Sequence, residues 1–138
     1  MVQVRVELDG REGTERKHVL VVNDSSIFLE LMGDLLEEHY TVSTMSVGPH
    51  AVDQAVTLRP DVILVDLVVG ERAGWDVLEA LHAGATTSDI PIVVLSTDSR
   101  LIARARDNAA RYGGNAYITK PFDLTALLDV IADQVGHA

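Results

Sequence analysis

Apolar positions recur along this chain with two periods that take turns, and those turns lay out the elements before any motif is considered. "HVLVV" (18–22) is a short apolar run ending at Asn23-Asp24. From Ser25 to His39 the apolar residues are Ile27, Phe28, Leu31, Met32, Leu35 and Leu36, spaced as one face of a helix. "YTVSTM" (40–45) reads as a strand. Pro49 then opens a second helix with Ala51, Val52, Ala55 and Val56 as its stripe, closed by Arg59-Pro60. "VILVD" (62–66) is a third strand, Gly74 to Leu81 a helix, and "IPIVVLS" (90–96) a fourth strand. Residues 99–112 read as one helix with Leu101, Ile102, Ala105, Ala109 and Tyr112 inward, stopped by Gly113-Gly114. "AYIT" (116–119) is a fifth strand. A last helix runs from about Asp123 to Val135, apolar at Leu124, Leu127, Leu128, Ile131 and Val135.

Five strands thus alternate with five helices, and the central strands are apolar at nearly every position. Strands of that kind are buried on both faces, as in a parallel sheet covered by helices. The expected architecture is α/β: a doubly wound, five-stranded parallel sheet in a flavodoxin-like three-layer sandwich. Residues 1–17 stand apart. Val2, Val4, Val6 and Leu8 alternate with polar residues ahead of an Asp9-Gly10 turn. They form an N-terminal extension, flexible or an added edge strand, before a domain spanning 18–138.

Bulk composition narrows the function. At 138 residues with 47% hydrophobic content, the chain supports one domain with a true core. A formal net charge of −10 argues against binding nucleic acid through the domain as a whole. The absence of cysteine excludes disulfides and thiolate metal sites. No apolar run is long enough to span a bilayer and no signal-peptide pattern is present, so a cytoplasmic location is expected.

In doubly wound sheets, ligands bind at the carboxyl ends of the strands. Strand one ends in Asn23-Asp24, strand three in Asp66, strand four in Ser96-Thr97 and strand five in Thr119-Lys120-Pro121. Two carboxylates, an amide, hydroxyls and an ammonium therefore gather on one edge. Paired carboxylates repel unless a cation separates them, and a hard ion such as Mg²⁺ (or Mn²⁺) suits such oxygens. An aspartate can attack phosphorus to form an acyl phosphate, while Lys120 and the ion neutralise the transferring oxygens.

"VLVVNDSS", "DLVVGERAGWDVL", "IPIVVLST" and "AYITKPF", in this order and spacing, resemble the receiver domain of bacterial two-component response regulators from about His18 to Val135. The resemblance implies a CheY-like fold in which Asp66 is phosphorylated by a sensor histidine kinase or a histidine phosphotransfer protein. It implies Asp24 and Asp66 as Mg²⁺ ligands with the backbone carbonyl of Val68, and Asn23 acting through a water. It further implies Ser96 as the switch hydroxyl, Lys120 as the phosphate-contacting lysine, a cis Lys120-Pro121 bond, and Tyr117 as the aromatic switch. The output face would be formed by the fourth helix, the fifth strand and the final helix, meeting a downstream protein or a second copy. Arg100, Arg104 and Arg111, with Arg106, crowd that face or serve as a solvated one. No metabolite turnover, direct nucleic-acid contact or membrane contact is expected.

The chain departs from the family's pattern at four places. Asn23 replaces the first of two adjacent acids, Gly70 stands where proline is common and implies a looser loop, Thr97 is bulkier than usual, and the fourth helix is long. These keep open a degenerate receiver that works as a protein-interaction module without phosphorylation. Two other classes compete. An aspartyl phosphatase would need an acid where Val68 stands, and a flavin binder would need a fuller phosphate loop than "NDSS".

Overall fold

The computed structural model describes residues 16–136; the expected extension over residues 1–17 falls almost wholly outside the described residues. The elements run β1 (His18–Val22), α1 (Ser26–Leu36), β2 (Thr41–Met45), α2 (Pro49–Leu58), β3 (Val62–Asp66), α3 (Ala73–Ala83), β4 (Ile92–Ser96), α4 (Ser99–Asp107), α5 (Ala109–Tyr112), β5 (Ala116–Thr119) and α6 (Leu124–Val135). The five strands form one sheet in the order β2-β1-β3-β4-β5, every pair parallel. This is the doubly wound sandwich that the alternating periods imply.

Strand side chains alternate between the faces and divide the core in two. Val19, Val21, Val62, Leu64, Val93 and Leu95 meet Met32 and Leu36 of α1 and Leu127 and Ile131 of α6. Leu20, Val22, Ile63, Val65, Ile92 and Val94 face the other way, onto α2, α3, α4 and Tyr112 of α5. Local chemistry sets the helix starts: Ser25 accepts from the Phe28 N–H at 3.1 Å, Asp98 from Arg100 at 2.8 Å and Asp123 from Ala126 at 2.7 Å.

Two expectations are corrected. Residues 99–112 are two helices, because Asn108 leaves the helical region (φ −116°, ψ 34°) and its side chain donates to the Arg104 carbonyl at 2.8 Å. An asparagine able to satisfy a carbonyl locally lets the chain turn and restart. The apolar positions of α1 do not form one buried face. Met32 and Leu36 are buried, but Ile27, Leu31 and Leu35 are 78%, 50% and 36% exposed. The helix has two apolar stripes and the sheet covers one of them.

Candidate functional site

Register brings the strand ends together. Val22 pairs with Val65, so Asn23 and Asp66 are neighbours one step on; Ser96 pairs with Thr119, which sets Lys120 beside them. Backbone bonds tie this edge: Leu67 N–H to the Leu95 carbonyl at 2.8 Å, and Lys120 N–H to the Ser96 carbonyl at 2.7 Å. Asn23, Asp24, Phe28, Asp66, Val68, Thr97 and Lys120 line a cleft of about 370 Å³ at the carboxyl edge.

Asp66 closes the floor of this cleft. It is 6% exposed, and the Lys120 ammonium lies 2.6 Å from its Oδ1. Oδ1 has no well-directed hydrogen bond; at that distance the ion pair holds by charge whatever the angle, and the oxygen stays open to a further donor. Burial pushes the Asp66 carboxyl above the ordinary value, Lys120 pulls it back, the nearby Asp24 charge raises it, and the Asn23 amide lowers it. Burial is the largest influence, and with the Asp24 charge beside it the net effect is upward.

Lys120 also sits 4.4 Å from the centroid of the Phe28 ring, which holds the ammonium over an aromatic face. Sequence reasoning assigned Phe28 to packing alone. Its place in the first turn of α1, ahead of the buried stripe, was the available signal. The Lys120-Pro121 bond is cis, as the resemblance implies.

Ser25 takes the helix-capping role, so exposed Asp24 does not carry it; Asp24 Oδ1 accepts from the Val47 N–H at 3.2 Å. Val68 lines the cleft, and its carbonyl accepts from Glu71 N–H at 3.1 Å. Ser96 is buried behind the cleft and its Oγ accepts from Asp98 N–H at 3.1 Å, leaving its own hydrogen to donate elsewhere; Thr97 lines the opening instead. Asn23 is 4% exposed, and its Oδ1 accepts from the Ser25 N–H at 2.7 Å. One of the two lone pairs on the carbonyl expected to receive a metal-bound water is therefore engaged.

Gly70 has φ +79°, a conformation closed to proline, so the loop after β3 needs the glycine for its turn. Gly74 is needed for a different reason than a loop turn. A Cβ there would lie 2.7 Å from the Asp66 carbonyl oxygen and 3.0 Å from Leu67 Cδ2.

Tyr117 is half-buried, its hydroxyl donating to the Gly113 carbonyl at 3.2 Å, with Arg106 stacked 4.9 Å from its ring. The other arginines have partners within the chain. Arg100 pairs with Asp98 at 2.8 Å and Arg111 with Glu79 at 2.8 Å, while Arg104 lies 5.9 Å from the Trp75 ring.

Among the described residues, no three His, Asp or Glu side chains cluster closely enough to hold a metal ion. Asp24 and Asp66 supply two carboxylates, and a backbone carbonyl and waters would complete six-fold coordination, the usual manner for Mg²⁺. The donor set fits the ion with two protein carboxylates. Among the described residues, no helix is long and apolar enough to cross a membrane.

A family model, the response regulator receiver domain, matches residues 19–132. The polar-differentiation response regulator DivK of Brucella anthropi is 30% identical over 125 residues, covering 88% of this chain and 98% of that protein. The chemotaxis protein CheY4 of Vibrio cholerae superposes with a TM-score of 0.76 at 24% identity, over 86% of this chain and 98% of that one. The receiver domain of a Pseudomonas aeruginosa sensor histidine kinase, with magnesium coordinated in its active site cleft, gives 0.75 at 24% identity, over 88% of this chain and 98% of that one.

Proposed function

This chain belongs to the response regulator receiver domain family, and from that membership we propose that it is a signalling switch whose Asp66 accepts a phosphoryl group from a phosphohistidine donor. The observation that carries the reading is the contact of the Lys120 ammonium with a buried carboxylate, 2.6 Å apart, at the floor of a cleft on the carboxyl edge of the sheet.

In the transfer, an Asp66 oxygen attacks phosphorus, the P–N bond to the donor imidazole breaks, and its electron pair leaves on that nitrogen. Lys120 changes partner during the step, from the carboxylate to a phosphoryl oxygen, and Phe28 keeps it in place. Ser96, with its hydrogen unassigned to any acceptor, donates to a second oxygen once the acyl phosphate has formed. Asp24, Asp66 and the Val68 carbonyl would hold a divalent ion, Mg²⁺ or Mn²⁺, which when bound offsets charge on the transferring oxygens. Burial of Asp66 keeps bulk water from the acyl phosphate.

The donor is a sensor histidine kinase or a histidine phosphotransfer protein. Exposed Val68 lines the cleft, and exposed Ile27 and Val69 adjoin the lining residues Phe28 and Val68 in the chain, apolar surface suited to the apolar face of such a donor. The response reaches a downstream protein, or a second copy, through α4, β5 and α6, where Tyr117 and Arg106 stack. The cytoplasm is the compartment that supplies these partners.

Incubation with Mg²⁺ and acetyl phosphate, followed by intact-mass analysis, tests this reading. One added phosphoryl group is expected, absent from Asp66→Asn. A wild-type chain that takes none, while Asn23→Asp does, would establish the phosphorylation-independent interaction module in its place.

A further inference from the structure

The Asn23 amide is a polar group in the cleft that this transfer leaves unused. It is 4% exposed, lines the cleft, and its Nδ2 makes no well-directed hydrogen bond, although it lies close enough to the Asp66 carboxylate to favour the charged form. A buried donor without a well-formed bond is costly, and a phosphoryl group on Asp66 would bring an oxygen to this donor. Its orientation follows from chemistry: the Ser25 backbone N–H only donates, so the atom 2.7 Å away must be Oδ1, and the NH₂ faces the other way.

An aspartate at this position would use one oxygen for Ser25 N–H and present a second acceptor. Asparagine presents two N–H donors instead. Water on a divalent ion directs its hydrogens outward and finds no acceptor in Nδ2, whereas an anionic oxygen finds a donor. The charge agrees. Asp24, Asp66, Glu71 and Lys120 together leave two net negative charges in the cleft, where an acid at position 23 would make it three. A divalent ion is thus less strongly attracted to the resting cleft than it would be with an acid at position 23, and the charge of an arriving phosphoryl group makes up the difference.

We propose that Asn23 Nδ2 is a phosphoryl-oxygen donor, and that the cleft consequently takes up its divalent cation together with the phosphoryl group rather than ahead of it. This rests on Asp66 as the acceptor and adds an order of binding to it. Asn23 here touches the group being transferred, so its role is catalytic and not only structural.

The test is a titration of wild type, Asn23→Asp and Asn23→Ala with Mg²⁺ alone and with Mg²⁺ plus beryllofluoride, followed by ¹⁵N NMR that includes the side-chain amides. Asn23→Asp retains the acceptor for Ser25 N–H, and backbone dispersion reports folding of all three. With Mg²⁺ alone, Asn23→Asp is expected to bind at least ten-fold more tightly than wild type, and beryllofluoride to tighten the cation more in wild type than in Asn23→Asp. The Asn23 NH₂ resonances should shift on beryllofluoride saturation, and Asn23→Ala should bind beryllofluoride about ten-fold more weakly, as for a lost bond to a charged acceptor. Unmoved amide resonances, or equal Mg²⁺ affinities in wild type and Asn23→Asp, overturn the donor role while leaving Asp66 as acceptor. No beryllofluoride binding in any of the three overturns both.

Discussion

Replacing Gly74 by alanine sets two effects of known size against each other. Gly74 lies in the first turn of α3, and a helical glycine-to-alanine change ordinarily gains about 1 kcal/mol by reducing the freedom of the unfolded chain. At this position the new methyl would stand 2.7 Å from the backbone carbonyl oxygen of Asp66. That neighbour belongs to the last residue of a central strand buried throughout, so it cannot swing aside as a side chain would. Overpacking a fixed interior costs about 1–3 kcal/mol. Gly33, in the interior of α1, is the control, since a Cβ there meets nothing within 4 Å. Gly33→Ala should stabilise by about 1 kcal/mol. Gly74→Ala should fall about 1–3 kcal/mol below Gly33→Ala, because the propensity gain cancels between them and leaves the packing cost. Urea denaturation of both variants measures that difference. Beryllofluoride affinity should drop in Gly74→Ala alone, since the displaced atom belongs to the acceptor residue. If Gly74→Ala proves as stable as Gly33→Ala, the close approach of α3 to Asp66 does not constrain the site.

Three further outcomes follow from the same geometry. The Asp66 carboxyl titrates above its ordinary 3.8 in the metal-free fold, with burial the largest cause and the Asp24 charge adding to it against Lys120. The folded state therefore favours the protonated form, so this group's contribution to stability is complete below the unfolded value and is lost as pH rises through the folded one. The unfolding free energy of metal-free Asp66→Asn, relative to wild type, should accordingly climb as pH is raised from 4 and then level off; a flat or falling difference refutes it. Lys120→Met should abolish transfer from acetyl phosphate in the mass assay while the chain still folds, since an Asp66 without its cation can take up a proton. Thr87 is buried with its hydroxyl donating to the Leu81 carbonyl at 2.7 Å, so Thr87→Val should lower stability by about 1 kcal/mol in thermal unfolding.

Position in the sequence carried the site because the sheet is parallel. When every strand points the same way, the residues that end the strands share one edge, and Asp24, Asp66 and Lys120 could be placed together from their order alone. The unbroken apolar runs in "HVLVV", "VILVD" and "IPIVVLS" likewise carried the sheet, because burial on both faces leaves few polar choices. Helical periodicity was less informative. It shows which positions of α1 share a face, but Ile27, Leu31 and Leu35 are as apolar as Met32 and Leu36, and only the angle at which the helix meets the sheet leaves the first three outside. Asn108 is a tolerable residue within a helix until its side chain finds the Arg104 carbonyl.

The sequence by itself determined that a carboxylate, a second acid and an ammonium stand at strand ends of one parallel sheet, since unbroken apolar runs and the polar residues that end them can be read from residue order. Tertiary structure decided which atom of Asn23 faces the cleft, that Phe28 holds Lys120, and that Gly74 leaves room for the backbone of Asp66. Each of these depends on contacts between elements distant along the chain or on the rotation of one side chain. Packing settles such matters at a scale of tenths of an ångström, below anything that residue order encodes.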